Sequence, residues 1–230
     1  MKGYGQFCPI ALGAEVFAER WTPIILRNLM VGCERFGEIL AGAPGLPRSV
    51  LSTRLRRLER DGVVARTTRG GAPCYRLTEC GRELTQVLLA LGNWGARWRE
   101  VHPEHLDPYL AVWTLSTLVP ADSLPQSRVV VRFDVRPHPA PNRFWLVVGP
   151  AEHEVCVHDP GFGDDAVVTC DPATLVGWIS GRLSLGHAQR AGVMTVTGPP
   201  WTERLLDGWG RLSPFAGVLP AHAHVATTSG

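Results

Sequence analysis

Residues 45–66 read GLPRSVLSTRLRRLERDGVVAR, and this stretch decides the fold of the first half of the chain. Pro47 suits the start of a helix, because its ring fixes φ and the amide it lacks has no partner in a first turn. At about 100° per residue, Leu51, Leu55 and Leu58 fall on one side, and Ser49, Thr53, Arg56 and Arg60 fall on the other. Asp61-Gly62 ends the element. The result is an amphipathic helix over Arg48–Arg60 with a basic outer face, set off from what precedes it by the breaker AGAPGLP at 41–47.

Upstream, the pattern predicts helices over Ile10–Phe17, over Thr22–Met30 with Pro23 in the first turn, and around Phe36–Leu40. Downstream, Val63–Thr67 and Cys74–Leu77 are strand-like runs around RGGAP, which reads as a hairpin with a flexible tip. Thr78 then caps a long amphipathic helix that carries Leu84, Val87, Leu88, Leu91, Trp94 and Trp98. Three helices, a hairpin and a helix follow the order of a winged helix-turn-helix domain.

Charge agrees with that order. Residues 1–100 hold fourteen arginines and one lysine against nine carboxylates, net +6, whereas the remainder holds eight arginines against twelve carboxylates, net −4. A basic first half beside an acidic second half predicts a polyanion-binding module joined to one that does not touch polyanions. The N-terminal end of a recognition helix faces base edges, so Arg48, Ser49, Ser52 and Thr53 are the expected base readers. Arg56, Arg57 and Arg60 lie further back and suit phosphates, and Arg69 sits at the wing tip. The competing reading, a merely solvated basic face, explains poorly seven arginines against two acids between Arg48 and Arg69.

The segment CPIALGAEVFAERWTPIILRNLMVGCERFGEIL, the helix above and YRLTECGREL together resemble the HxlR-type winged-helix regulators over about residues 4–98. The resemblance implies duplex DNA as partner. It also implies a homodimer held by the N-terminal helix and the C-terminal helix of the winged domain, which is the Glu79–Trp98 helix here. Cys8 matches a position where family members carry a cysteine that senses oxidants or electrophiles, and a helix start just after it would favour the thiolate. The alternative is a cysteine with a packing role only.

Residues 101–108 read as a linker, dividing the chain into a DNA-binding domain over 1–106 and a second domain over 107–230. The latter is predicted as α+β with a mostly antiparallel sheet. Its expected helices are Tyr109–Leu118, Pro172–Ser180 and Trp201–Arg211, and its expected strands Arg128–Arg136, Arg143–Val148, Glu154–His158, Ala166–Cys170 and Met194–Thr197. The tail from Ala216 is expected to be disordered. The stretch DPATLVGWISGRLSLGHAQRAGVMTVTG at 171–198 resembles the sterol carrier protein type 2 family. That resemblance implies a five-stranded sheet backed by helices around an apolar cavity. A small hydrophobic molecule would then meet Trp113, Phe144, Trp145, Trp178 and Trp209, with ordinary core packing as the alternative.

Other classes find little support. The longest apolar runs fall far short of the roughly 20 residues of a membrane span, and the N-terminus lacks the form of a secretory signal, so the expected location is the cytoplasm. The six cysteines contain no C-x-x-C pair. His138, His153, His158 and Asp159 have no recognised metal spacing, and no nucleophile elbow or phosphate-binding glycine loop occurs, so no metal, cofactor or enzymatic activity is expected. Two rivals to a ligand-responsive regulator stay open: an architectural DNA-binding protein with an assembly domain, and a lipid-handling enzyme fused to a DNA-binding domain.

Overall fold

A computed structural model describes residues 3–120, 124, 128–150 and 153–221. Packing divides the chain into two units, residues 1–91 and 92–230. The expectation of a disordered tail falls largely on residues 222–230, outside those described.

The first unit contains α1 (Pro9–Phe17), α2 (Thr22–Met30), α3 (Phe36–Ala41), α4 (Arg48–Arg60), the strands β1 (Val64–Arg69) and β2 (Ala72–Leu77), and the greater part of α5 (Glu79–Trp98). Its core is built by Ile25 and Leu26 of α2, Ile39 of α3, and Leu51, Leu55 and Leu58 of α4. Asn28, fully buried on α2, donates to the Ile39 carbonyl at 2.8 Å and accepts from Arg27, so its polar amide is satisfied while tying α2 to α3.

The end of α4 is closed by its sequence. Gly62 takes φ +72°, a left-handed conformation that glycine adopts without steric cost. Gly62 N–H donates to the Glu59 carbonyl and Val63 N–H to the Leu58 carbonyl, the paired bonds of a Schellman motif, with Leu58 and Val63 both buried beside it.

The wing pairs further than the sequence suggests. β1 and β2 are antiparallel from Val64↔Leu77 out to Arg69↔Ala72. Gly70 and Gly71 both have positive φ, so they close a two-residue turn of the kind that matches strand twist, and Thr68, Arg69, Ala72 and Pro73 join the ladder instead of forming a loose tip.

The Thr78 cap is present, its hydroxyl accepting from Gly81 N–H at 3.1 Å and donating to the Gly62 carbonyl at 2.6 Å. A Cβ on Gly81 would lie 2.1 Å from the Val63 carbonyl oxygen, so only glycine lets α5 approach the start of the wing.

The second unit begins within α5. There the ring of Phe215 packs where a Gly92 side chain would be, and Arg182 donates to the Ala96 carbonyl at 3.2 Å. A 3₁₀ turn (Pro103–His105) leads into α6 (Pro108–Leu118), whose Pro108 the sequence reading assigns to the linker.

The sheet comprises β3 (Val129–Val135), β4 (Arg143–Val148), β5 (His153–Cys156), β6 (Ala166–Cys170) and β7 (Met194–Thr197), in the spatial order β5-β4-β3-β6-β7. Three pairings are antiparallel and the central β3/β6 pairing is parallel. The predominance of antiparallel pairing matches the expected pattern. Residues of α6, α7 (Pro172–Ile179), α8 (Leu185–Arg190) and α9 (Pro200–Trp209) pack with alternate strand residues such as Val131, Phe133, Phe144 and Leu146 into one core. Asp171 caps α7 by accepting from Ala173 N–H, Thr174 N–H and the Thr174 hydroxyl; burial opposes its charge, but these bonds outweigh it and hold the carboxyl below its ordinary value. α8 is absent from the sequence reading because six residues with a glycine among them give too little periodicity. β5 spans His153–Cys156, so His158 lies beyond the strand.

Candidate nucleic-acid interface

The expected base readers and phosphate contacts on α4 fall on its outward side. Arg48, Ser49, Thr53, Arg56, Arg57 and Arg60 are exposed, and Ser52 is half-buried. Their local partners separate them. The Thr53 hydroxyl donates to the Ser49 carbonyl at 2.9 Å, which leaves its oxygen able to accept a further hydrogen bond. The Arg48 guanidinium stacks over Phe36 at 5.1 Å, a cation–π contact that orients the side chain without neutralising it. Arg57 donates to Asp61 at 2.8 Å across one helical turn, and Arg54 pairs with Glu19 at the end of α1. Among the described residues, Arg56 and Arg60 have no carboxylate partner. They are four apart and so share one face of the helix.

The wing sorts its arginines in the same way. Residues paired across a ladder share a face, so Arg69 and Thr67 lie with Cys74 and Arg76, whereas Arg66 lies on the opposite face with Tyr75. Arg76 donates to both carboxylate oxygens of Glu34, at 2.6 and 3.0 Å, and Arg69 approaches the same carboxylate at 3.8 Å. The hydrogen bond from Arg76 holds the Glu34 carboxyl below the usual carboxylate range. Arg69, expected at the wing tip, therefore sits at a strand end beside a counter-charge. Arg66, absent from the sequence-based set, is exposed and has no carboxylate partner among the described residues. Strand alternation could not have found it, since Arg66 shares a face with buried Val64; it is exposed because every residue of β1 after Val64 is.

Cys8 is the residue before α1 and is half-exposed, and Cys80 is exposed on α5. Burial pushes the Cys33 thiol up to about 11 and the Cys170 thiol up to about 12, which removes both from thiolate chemistry near neutrality.

The five aromatic residues expected to meet a ligand do not form one constellation. Phe144, Trp178 and Trp209 belong to the helix-backed core. Trp145, next to Phe144 on β4, points to the other face of the sheet, where it packs with Val130 and Val147 and donates to Asp164 at 3.0 Å. Trp113 is buried on α6. His153 Nδ1 lies 2.7 Å from the Ser116 carbonyl oxygen. Among the described residues, no group of three or more His, Cys, Asp or Glu side chains is placed to hold a metal, and no helix is long and apolar enough to cross a membrane.

The HxlR-like helix-turn-helix family matches residues 16–103 of the chain. The uncharacterized HTH-type transcriptional regulator YvaP of Bacillus subtilis (strain 168) is 35% identical over 106 residues, covering 44% of this chain and 96% of its own. The uncharacterized HTH-type transcriptional regulator sll1512 of Synechocystis sp. is 35% identical over 99 residues, covering 42% of this chain and 73% of its own. Among solved structures, the redox regulator HypR in its oxidized form matches at 32% identity with a TM-score of 0.39, over 41% of this chain and all of that one.

Proposed function

Because the chain belongs to the HxlR-like helix-turn-helix family, we propose that it is a cytoplasmic, homodimeric transcriptional regulator that binds operator DNA through α4 and the wing. The observation that carries this reading is the set of arginines without carboxylate partners among the described residues, Arg56 and Arg60 on α4 and Arg66 on β1, together with the polar N-terminal turn of α4. Arg48, Ser49, Ser52 and Thr53 read bases there, while Arg56, Arg60 and Arg66 hold phosphates.

The dimer reading is supported by apolar surface that the first unit leaves open. α1 has no buried residue, although Ile10 and Leu12 lie within it and Phe7, just before it, is 97% exposed. On α5, Val87 and Leu91 are exposed on one face. An apolar helix with no core of its own is stable when a second surface covers it.

The test is sedimentation combined with fluorescence anisotropy on pseudo-palindromic duplexes. A two-fold dimer is expected, occupying half-sites about one helical turn apart with strongly salt-dependent affinity. A monomer at working concentration overturns the dimer, and an absence of salt-dependent binding to any duplex overturns the DNA reading.

For the second unit, we propose a sterol-carrier-like effector domain over residues 107–230, following the DNA-binding domain over 1–106. Its five-stranded sheet with a helix-backed aromatic core supports this reading, and so does the net charge of −4 over residues 101–230. An apolar effector entering that core meets Phe144, Trp178 and Trp209. It regulates only if it binds the DNA-competent and DNA-incompetent states with different free energies; a coupling of about 1–3 kcal/mol changes operator affinity roughly 5- to 150-fold. A ligand that binds without changing operator affinity overturns the effector reading and leaves an assembly or carrier module.

A second input, electrophile sensing at Cys8, draws support from its half-exposed place at the head of α1. Cys8→Ser is then expected to abolish the response to electrophiles and to preserve basal DNA binding.

A further inference from the structure

We propose that Glu34 is an internal stand-in for a DNA phosphate: it grips Arg76, and more loosely Arg69, and withholds their forks from DNA until a fitting backbone displaces it. The inference rests on the DNA-binding reading above.

Glu34 is held in place by its main chain. Its N–H donates to Glu38 Oε2 at 2.9 Å, its carbonyl accepts from Tyr75 N–H at 2.7 Å, and the next residue, Arg35, bridges to Cys74 of β2. The carboxylate is thereby presented to the wing face that carries Arg69, Thr67 and Arg76. Its two oxygens engage Arg76 through Nε and Nη2, the bidentate geometry with which an arginine also takes a phosphate. While the pair stands, the Nε/Nη2 edge of Arg76 is closed to a phosphate and its charge is offset by the carboxylate.

The pair is also weak enough to exchange. The Arg76 side chain is 56% exposed and that of Arg69 72% exposed, and ion pairs at such exposure add little to stability. A core salt bridge would be structural; this one is largely exposed, on the wing face opposite Arg66. Among the described residues, the wing consequently offers non-cognate DNA one carboxylate-free arginine, Arg66, where its sequence suggests three.

The test measures binding of the full chain to a fluorescein-labelled random duplex between about 50 and 200 mM salt, where each added phosphate contact steepens the log–log salt slope by about 0.9. Glu34→Gln is expected to tighten non-specific binding and to steepen the slope by about 0.9 to 1.8. Arg76→Gln in that background is expected to reverse about 0.9 of the gain, whereas in the unaltered chain it lowers the slope by less than half as much. Arg76→Lys provides a variant that keeps the charge and the exposed position. A lysine cannot form the bidentate bond, so its slope too is expected to steepen.

An unchanged or shallower slope for Glu34→Gln and Arg76→Lys overturns the proposal, as does an equal effect of Arg76→Gln in both backgrounds. If the unaltered chain shows no salt-dependent binding to any duplex, the DNA-binding reading itself has failed. Binding by the unaltered chain with no effect of these variants removes Glu34 alone.

Discussion

The recognition helix and the wing are both rich in arginine, but they restrain it differently. On α4, the neutralising carboxylates come from the residue that follows the helix, where Asp61 takes Arg57, and from the α1–α2 connection, where Glu19 takes Arg54. On the wing, among the described residues, one carboxylate from the α2–α3 connection faces two arginines on one side of the hairpin, and the other side, with Arg66, has none. Counting basic residues therefore overstates basic surface. Of the seven arginines from Arg48 to Arg69, four lack a carboxylate partner among the described residues: Arg48, Arg56, Arg60 and Arg66. Three of those four lie on α4 and the fourth, Arg66, on β1.

Removing the helix while sparing the wing breaks the comparison most severely. Leu55 is 1% exposed beneath α4, and Leu55→Ala is expected to cost about 2–5 kcal/mol, read from denaturant unfolding, with operator binding lost in step. A loss below about 1 kcal/mol would mean that the core under α4 collapses around the cavity.

A smaller change cuts the joint between the two regions. Gly62 has φ +72° where α4 ends and β1 is about to begin, and nothing lies within 4 Å of a Cβ placed there. Gly62→Ala is therefore a conformational test free of steric clash. A loss of about 1–2 kcal/mol in thermal unfolding is expected, since an L side chain disfavours the left-handed region by that amount.

The sorting of α4's own arginines is sharpened by comparing neighbours. Arg56→Ala and Arg60→Ala are each expected to flatten the salt dependence by about 0.9 on every duplex tested, cognate or not, and Arg57→Ala by clearly less. Equal losses at Arg56 and Arg57 would show that Asp61 does not compete with DNA.

The mildest effect concerns pH. The Glu34 carboxyl is held below its unfolded value by Arg76, so its contribution to stability is present above that value and is lost as pH falls through the lower, folded one. The small difference in melting temperature between Glu34→Gln and the unaltered chain is therefore expected at neutral pH and should vanish in acid below the ordinary carboxylate range. A difference that persists there would point to packing of the side chain and not to its charge.

Much of this architecture is legible in the sequence because its signals are local. α2 and α4 begin and end where Pro23, Pro47 and Asp61-Gly62 place them, and Thr78 caps α5 through residues three apart. β6 and β7 likewise match their apolar runs to the residue. What local reading misses is non-local. Glu34 and Arg76 stand 42 positions apart, so neither composition nor periodicity could reveal that Arg69 shares a counter-charge with Arg76. The ladder beyond Thr67 depends on both glycines of the turn adopting positive φ, and the short helix α8 has too few residues to display a period. For the aromatic residues of the second unit, strand alternation separates Phe144 from Trp145, but grouping them as one lining required knowing which face the helices cover.

The joint made by Thr78, Gly81, Gly62 and Val63 also bears on the order in which the first unit assembles. Its bonds span 15 and 16 positions, against 42 for the grip of Glu34 on the wing, so its loops close at an entropic cost lower by roughly 1 kcal/mol. The hairpin, the last turn of α4 and the first turn of α5 are thus joined by contacts cheaper to close than the grip of Glu34 on the wing. Loop length therefore favours seating the wing on its helix ahead of the carboxylate that restrains it.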